Sequence, residues 1–168
     1  MERVVIFGLS DSSSLAHFYL RHDSKHDVVA FTVSKEYMPD SGSFEGCPVV
    51  PFEEVEGLYP PGAQTKMFAP LFYSDMNRFR ERVYNEGKVK GYSFISYISS
   101  KATVWPEAQI GENCFILEDN TIQPFTPIGN NCVLWSGNHI GHHGEVKDHN
   151  YFTSHVVMSG HCIIEPHC

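Results

Sequence analysis

An apolar residue recurs at every sixth position from Ile98 onward: Ile98, Val104, Ile110, Ile116, Ile122, Ile128, Leu134, Ile140, Val146, Phe152, Met158 and Ile164. Four residues after each stands a second set: Ala102, Ala108, Cys114, Asn120, Thr126, Cys132, Asn138, Gly144, Asn150, Val156, Cys162 and Cys168. Nearly all of these are small. A helix repeats apolar residues at steps of three and four, and a half-buried strand at every second residue. A strict hexad fits neither. Unbroken short periods signal repeat architecture, and this one fits a coiled β ribbon. Each hexad makes one short strand and one bend; the large residue fills the core and the small one lets the chain turn.

Residues 1–90 read differently. Arg3–Gly8 carries a continuous apolar run and predicts a strand. Asp11-Ser12-Ser13-Ser14 supplies helix-capping side chains for a helix through Leu15–Leu20. Asp27–Val33 predicts a second strand, Cys47–Pro51 a short third, Glu53–Leu58 a helical turn and Met67–Tyr73 a fourth strand. Asp75–Lys88 predicts a helix with Met76, Phe79 and Val83 on one face and Arg78, Arg80, Glu81 and Arg82 largely elsewhere. Strand, helix, strand in this order implies a small Rossmann-like parallel α/β unit. Only Gly8 of a dinucleotide Gly-x-Gly-x-x-Gly fingerprint is present. Exposed N–H groups at the start of the first helix, with Ser10 and Ser12, offer a phosphate site. Plain helix capping accounts for the same residues.

The net charge of −8 argues against nucleic acid or an anionic membrane as the main partner. An anionic ligand needs local help from backbone N–H groups or lysines such as Lys101 and Lys147. There is no apolar run long enough to span a bilayer, and the opening Met-Glu-Arg-Val-Val-Ile lacks a signal peptide's long apolar stretch. The expectation is a cytoplasmic protein. Cys114, Cys132, Cys162 and Cys168 all take the small inward position of a hexad and read as buried small hydrophobes. With no CxxC pair, a cysteine zinc site is not expected.

Histidines crowd the end of the chain. His149, His155, His161 and His167 recur at one hexad position and read as solvated bend residues. The cluster Asn138-His139-Ile140-Gly141-His142-His143-Gly144 differs, packing histidines and glycines between two inward anchors. Histidine suits proton transfer near neutral pH, glycine allows close approach, and exposed turn amides can face a developing oxyanion.

The stretch Tyr-Ile-Ser-Ser-Lys-Ala-Thr-Val-Trp-Pro-Glu-Ala-Gln-Ile-Gly-Glu-Asn-Cys-Phe-Ile from Tyr97, following the helix Met76–Tyr92, resembles the hexapeptide-repeat sugar O- or N-acyltransferases of the NeuD/PglD type. The resemblance covers essentially the whole chain. It implies a nucleotide-sugar-binding α/β domain over residues 1–90 and a left-handed parallel β-helix over 91–168, where the family normally runs on for more coils. It implies an acyltransferase, first an acetyltransferase, that takes acetyl-CoA as co-substrate, needs no metal and assembles as a homotrimer. The acceptor would be an amine or hydroxyl of a sugar or nucleotide sugar, attacking the thioester directly. Aligned by hexad phase, the family's catalytic histidine falls on His142, with His139 in reserve. His143 stands where the family often has an acidic partner, leaving Glu145 and Asp148 as candidates for that role. Tyr151, His155 and Gly160 would line the coenzyme groove. Gly8, Ser10, Ser12 and Asn138 would meet the acceptor. The exposed tryptophans expected at Trp105 and Trp135 would suit a subunit contact. Two other readings stay open: a non-catalytic β-helical scaffold or sugar-binding module, and a trimeric zinc β-helix enzyme.

Overall fold

The computed structural model describes residues 2–168. The chain divides into two units, one running through Phe72 and including Val83–Ile95, the other formed by Tyr73–Arg82 and Ser96–Cys168.

The first unit is built on five strands: β1 (Arg3–Phe7), β2 (Asp27–Val33), β3 (Ser43–Phe44), β4 (Cys47–Pro51) and β5 (Thr65–Phe68). Their order in the sheet is β3-β4-β2-β1-β5. All neighbours run parallel except the small hairpin β3–β4, which the sequence did not announce. Val4, Val5 and Ile6 of β1 are completely buried, as a central parallel strand requires. Helix α1 (Asp11–His22) returns the chain from β1 to β2, and a single helical turn, α2 (Val55–Leu58), lies between β4 and β5. From β1 the sheet grows through β2 on one side and β5 on the other, so the carboxyl end of β1, at Gly8, lies at a topological switch point. Open α/β sheets bind ligands there.

Two elements differ from expectation. The fourth expected strand begins earlier and is shorter: β5 pairs with Arg3–Ile6 of β1 and ends at Phe68, with Met67 also bridging Phe94. Helix α3 spans Arg78–Val89, not 75–88, because Asp75, Met76 and Asn77 adopt left-handed φ values of 52°, 49° and 64°. Met76 is therefore outside the helix and exposed. Within α3 the buried stripe is Arg80, Val83, Tyr84 and Gly87, a helical i, i+3, i+4, i+7 face. Arg80, expected on the polar side, is fully buried.

The second unit is a left-handed β-helix with three faces. On the first face Tyr97–Ile98, Phe115–Ile116, Val133–Leu134 and Tyr151–Phe152 stack in parallel register. On the second, Thr103–Val104, Thr121–Ile122, His139–Ile140 and Val157–Met158 do the same. The third joins Ile110, Ile128, Val146 and Ile164. Every partner is three hexads away. The anchors Ile116, Ile122, Ile128, Leu134, Ile140 and Val146 form the core.

The corners explain the small set. Ten consecutive hexads place a residue of positive φ just before the small one: Asn113, Asp119, Phe125, Asn131, Gly137, His143, His149, His155, His161 and His167. Asparagine, aspartate and histidine are the side chains that best tolerate this conformation. The small residues then close each bend. Asn120 Nδ2 donates to the Leu117 and Trp135 carbonyls at 2.9 and 2.8 Å. Asn150 Nδ2 donates to the Lys147 carbonyl at 2.9 Å while its Oδ1 accepts from the Cys168 N–H at 2.7 Å. Thr126 Oγ1 donates to the Gly141 carbonyl at 2.7 Å and accepts from the Gly144 N–H at 3.1 Å. Buried backbone groups at the turns are thereby paired, as they must be.

Cys114 and Cys132 are buried in adjacent coils as expected. The Cys114 thiol donates to the Gly129 carbonyl at 3.1 Å, and the Cys132 thiol is pushed well up by its hydrogen bond with Cys114 and by burial. Cys162 and Cys168 occupy the same hexad position but are exposed. Among the described residues no coil stacks on theirs, and their exposure corrects the expectation of burial.

Candidate functional site

His142 and His143 occupy one corner of the β-helix, after the second-face strand His139–Ile140. Gly141 precedes them in close contact with the next coil: a Cβ added there would stand 2.5 Å from the Gly160 nitrogen. Both histidines are exposed. The His142 N–H donates to Gln123 Oε1 at 3.0 Å, which fixes the backbone of the turn from the coil before. The two rings meet through their Nδ1 atoms at 3.0 Å. One of those nitrogens carries the proton and donates to the other's lone pair.

Neighbouring coils complete the corner. Phe125 and His161 lie one coil before and one after His143 at the same left-handed position. The His143 ring packs on Phe125 with centroids 4.8 Å apart and stacks on His161 at 5.4 Å. The His142 ring meets His161 edge-on at 5.4 Å. One ring nitrogen from each of His142, His143 and His161 lies within 4.8 Å of the others. Gly160 sits under the His142 ring: a Cβ there would stand 3.0 Å from Cε1 and 3.2 Å from Nε2. Its bare backbone leaves room for the imidazole.

The other expected residues fall in several places. His139 lies in the second face, paired between Thr121 and Val157. Asn138 is buried; its Nδ2 donates to the Trp135 carbonyl at 2.5 Å and its Oδ1 accepts from the Val156 N–H at 2.8 Å. That amide holds the bend, like Asn120 and Asn150. Tyr151 is half-buried on the first face. Its hydroxyl bonds the Trp135 indole N–H, its ring meets Tyr73 at 5.1 Å, and burial pushes its phenol up. His155 is exposed at another corner, its ring filling the space over Gly137. Trp105 is exposed and Trp135 half-buried. Lys147 pairs with Glu165 at 2.7 Å, so its charge is already neutralised.

A second corner carries a ladder the sequence reading missed. Asn113 Nδ2 donates to Asn131 Oδ1 at 2.8 Å, and Asn131 Nδ2 meets His149 Nδ1 at 2.9 Å. His149 stacks on His167 at 5.3 Å. Glu81 reaches both, 3.5 Å from His149 Nε2 and 3.0 Å from His167 Nε2. Arg80 donates to the Asn131 carbonyl at 2.8 Å, and burial lowers its guanidinium to about 10. The spacing of eighteen between these residues was visible in the chain; the dipeptide Arg80-Glu81 that serves them was not.

At the switch point of the first unit, Gly8 has φ 107°, a region only glycine enters freely. A Cβ there would stand 2.7 Å from Ser13 Oγ. Ser10 takes the N-cap position of α1 without a side-chain cap; its Oγ bonds Ser12 Oγ at 2.9 Å instead. Ser14 Oγ donates to Glu45 Oε1 at 2.6 Å. The serines therefore do not cap the helix in the way their spacing predicted. Ser13 Oγ is buried without a protein partner.

No family model and no curated protein sequence matches the chain. Solved structures do. A histidine-to-asparagine mutant of perosamine N-acetyltransferase from Caulobacter crescentus, in complex with CoA and GDP-perosamine, superposes with a TM-score of 0.82 at 18% identity, over 97% of this chain and 74% of that one. WeeI from Acinetobacter baumannii AYE gives 0.73 at 15% identity, over 95% and 73%. The acetyltransferase domain of PglB from Neisseria gonorrhoeae FA1090, in complex with acetyl coenzyme A, gives 0.57 at 14% identity, over 97% and 92%. The likeness is one of fold: a small α/β domain joined to a left-handed hexapeptide β-helix.

Proposed function

We propose that this chain is a CoA-dependent acyltransferase, first an acetyltransferase, acting on an amine or hydroxyl of a sugar or nucleotide sugar. The observation that carries the reading is the His142–His143 pair, set over Gly160 at an exposed corner of this fold. The fold is shared with acetyltransferases whose solved structures hold CoA, acetyl-CoA and GDP-perosamine.

With the proton on His142 Nδ1 donated to His143 Nδ1, the lone pair of His142 Nε2 is free to act as a base. The acceptor nitrogen or oxygen attacks the thioester carbonyl carbon as its proton passes to Nε2. The tetrahedral intermediate collapses, the carbon–sulfur bond breaks and the CoA thiolate leaves with a proton. No enzyme nucleophile is needed; Cys114 and Cys132 are buried in the core. His143 holds the tautomer in place of a carboxylate, Glu145 and Asp148 being unnecessary for that contact. His139 is the reserve base. Gly160 belongs beside the reacting end of the coenzyme, with Tyr151 and His155 along its course. Gly8, Ser10 and Ser12 belong at the acceptor's phosphates, where the switch point and the unpartnered Ser13 hydroxyl support them. The active unit is a cytoplasmic homotrimer. Among the described residues no helix is long and apolar enough to cross a membrane.

The test is His142→Ala. A general base contributes about 10²–10⁴ in rate. Turnover of acetyl-CoA with an amino-sugar nucleotide should fall by about that factor, while calorimetric affinity for acetyl-CoA stays within about twofold. Lost affinity with unchanged turnover overturns the assignment of the base. Absence of acetyl-CoA binding to the unmodified protein overturns the acyltransferase reading.

A further inference from the structure

We infer that His142, His143 and His161 form a site for a divalent transition-metal ion such as zinc, and that filling it switches off the acyl transfer proposed for His142. The inhibitory half rests on that functional reading; the site itself does not.

The argument starts from geometry. Three imidazoles from two successive coils converge with ring nitrogens inside 4.8 Å of one another. Zinc bound by nitrogen at about 2.0–2.1 Å needs its ligand atoms about 3.3–3.4 Å apart in a tetrahedron. The His142–His143 pair, at 3.0 Å, is close to that spacing already, and exposed rings turn at little cost. Neutral imidazole is a good ligand for zinc, copper and nickel. Three protein nitrogens leave a fourth position for water. The backbone supplies preorganisation: His143 and His161 stand at left-handed corner positions, held one coil apart by the His161 N–H bond to the His142 carbonyl at 3.0 Å.

The chemical consequence is direct. Two of the rings share one proton through their Nδ1 atoms. Binding the metal through both Nδ1 atoms moves that proton by way of solvent to His142 Nε2, so both rings stay neutral imidazoles and His142 has no lone pair left to act as a base. Coordination of His142 through Nε2 instead occupies that lone pair directly. The exposed corner gives the ion access from solvent.

Zinc chloride titrated into the full chain by calorimetry should show one site, and His161→Asn should weaken it at least tenfold. Asparagine tolerates the left-handed position, so the fold is preserved. His167→Asn, at the corner where Glu81 and His149 form the competing cluster, should leave zinc affinity unchanged. Equal affinity in the unmodified chain and His161→Asn, or loss confined to His167→Asn, overturns the site. In the acyl-transfer assay zinc should inhibit the unmodified chain reversibly to chelator, and His161→Asn should resist at least tenfold more metal. Equal inhibition of the two overturns the switch. A chain that binds zinc here but transfers no acyl group refutes the catalytic reading and the switch, and leaves the site standing on calorimetry.

Discussion

Gly160 carries a sharper demand than most residues at the corner. Nothing in its hexad position requires glycine, since the equivalent slot one coil earlier holds His142 itself. The demand comes from the ring beneath: a methyl group would stand 3.0 Å from His142 Cε1 and equally close to the His142 carbonyl. The exposed ring can move aside and the carbonyl has to give by only a few tenths of an ångström, so the cost in stability is modest and the cost in orientation is large. Misplacing a catalytic group by about 1 Å can cost about 10²-fold in rate. Gly160→Ala should therefore lower kcat at least tenfold while the thermal midpoint moves by less than about 3 °C, a shift worth about 1 kcal/mol or less in a chain this size. Unchanged kcat would show that His142 does not act from this position. The sequence reading put His142 forward as the base and Gly160 among the residues lining the coenzyme groove, without setting one against the other. The eighteen-residue step from His142 to Gly160 is one full stacking interval, so the register of the coils itself sets the glycine against the histidine.

At the scale of elements, the start of helix α3 is the most informative departure. Its sequence reads as an amphipathic helix with the arginines outside, yet Arg80 is buried and Glu81 bridges two stacked histidines. Helical periodicity alone cannot decide which side of a charged helix is covered; here the left-handed turn Asp75–Asn77 delays the first helical residue. The ladder it serves should make stability depend on pH. His149 is lowered from its ordinary value chiefly by burial, against the raising influence of Glu81 and Asp148, with His167 and Arg80 lowering it further. A lowered histidine binds fewer protons folded than unfolded. Its effect on stability is absent well above the ordinary value of 6.5 and grows as a penalty as pH falls below it. His149→Asn keeps the left-handed corner and the rung to Asn131 and removes the penalty. The thermal midpoint should fall between pH 7.5 and 5.5 by less in the variant than in the unmodified chain. An equal or steeper fall would mean that Glu81 outweighs burial.

For the whole molecule, the hexad made the β-helix legible because one rule, a large residue inside and a small one at the bend, repeats without interruption through four coils. The three faces and the eighteen-residue register follow from it. The α/β unit was less legible: its strands are short, one hairpin carries no clear alternation, and β5 ends at Phe68, inside the expected strand. Side-chain employment was least legible, as Asn138 shows, because an amide at a corner looks the same in sequence whether it faces a bend or a substrate. The outward surface of the second unit is where the proposed homotrimer can be tested. Val157, Ile163, Phe125 and Trp105 are exposed by 74%, 58%, 55% and 52%, large apolar groups on the outside of the coils. A homotrimer would bury such groups between helices and bring coil corners of neighbouring subunits together, which suits a coenzyme groove. Sedimentation should give a species of three 19.0 kDa chains. Val157→Asp, adding a charge to a surface that becomes buried on assembly, should shift it toward monomer and reduce turnover in parallel, since a buried unpaired carboxylate is costly. Its thermal midpoint as a monomer should resemble that of the unmodified chain diluted below assembly. A monomeric unmodified chain with full acyl-transfer activity would place the whole coenzyme site within one β-helix.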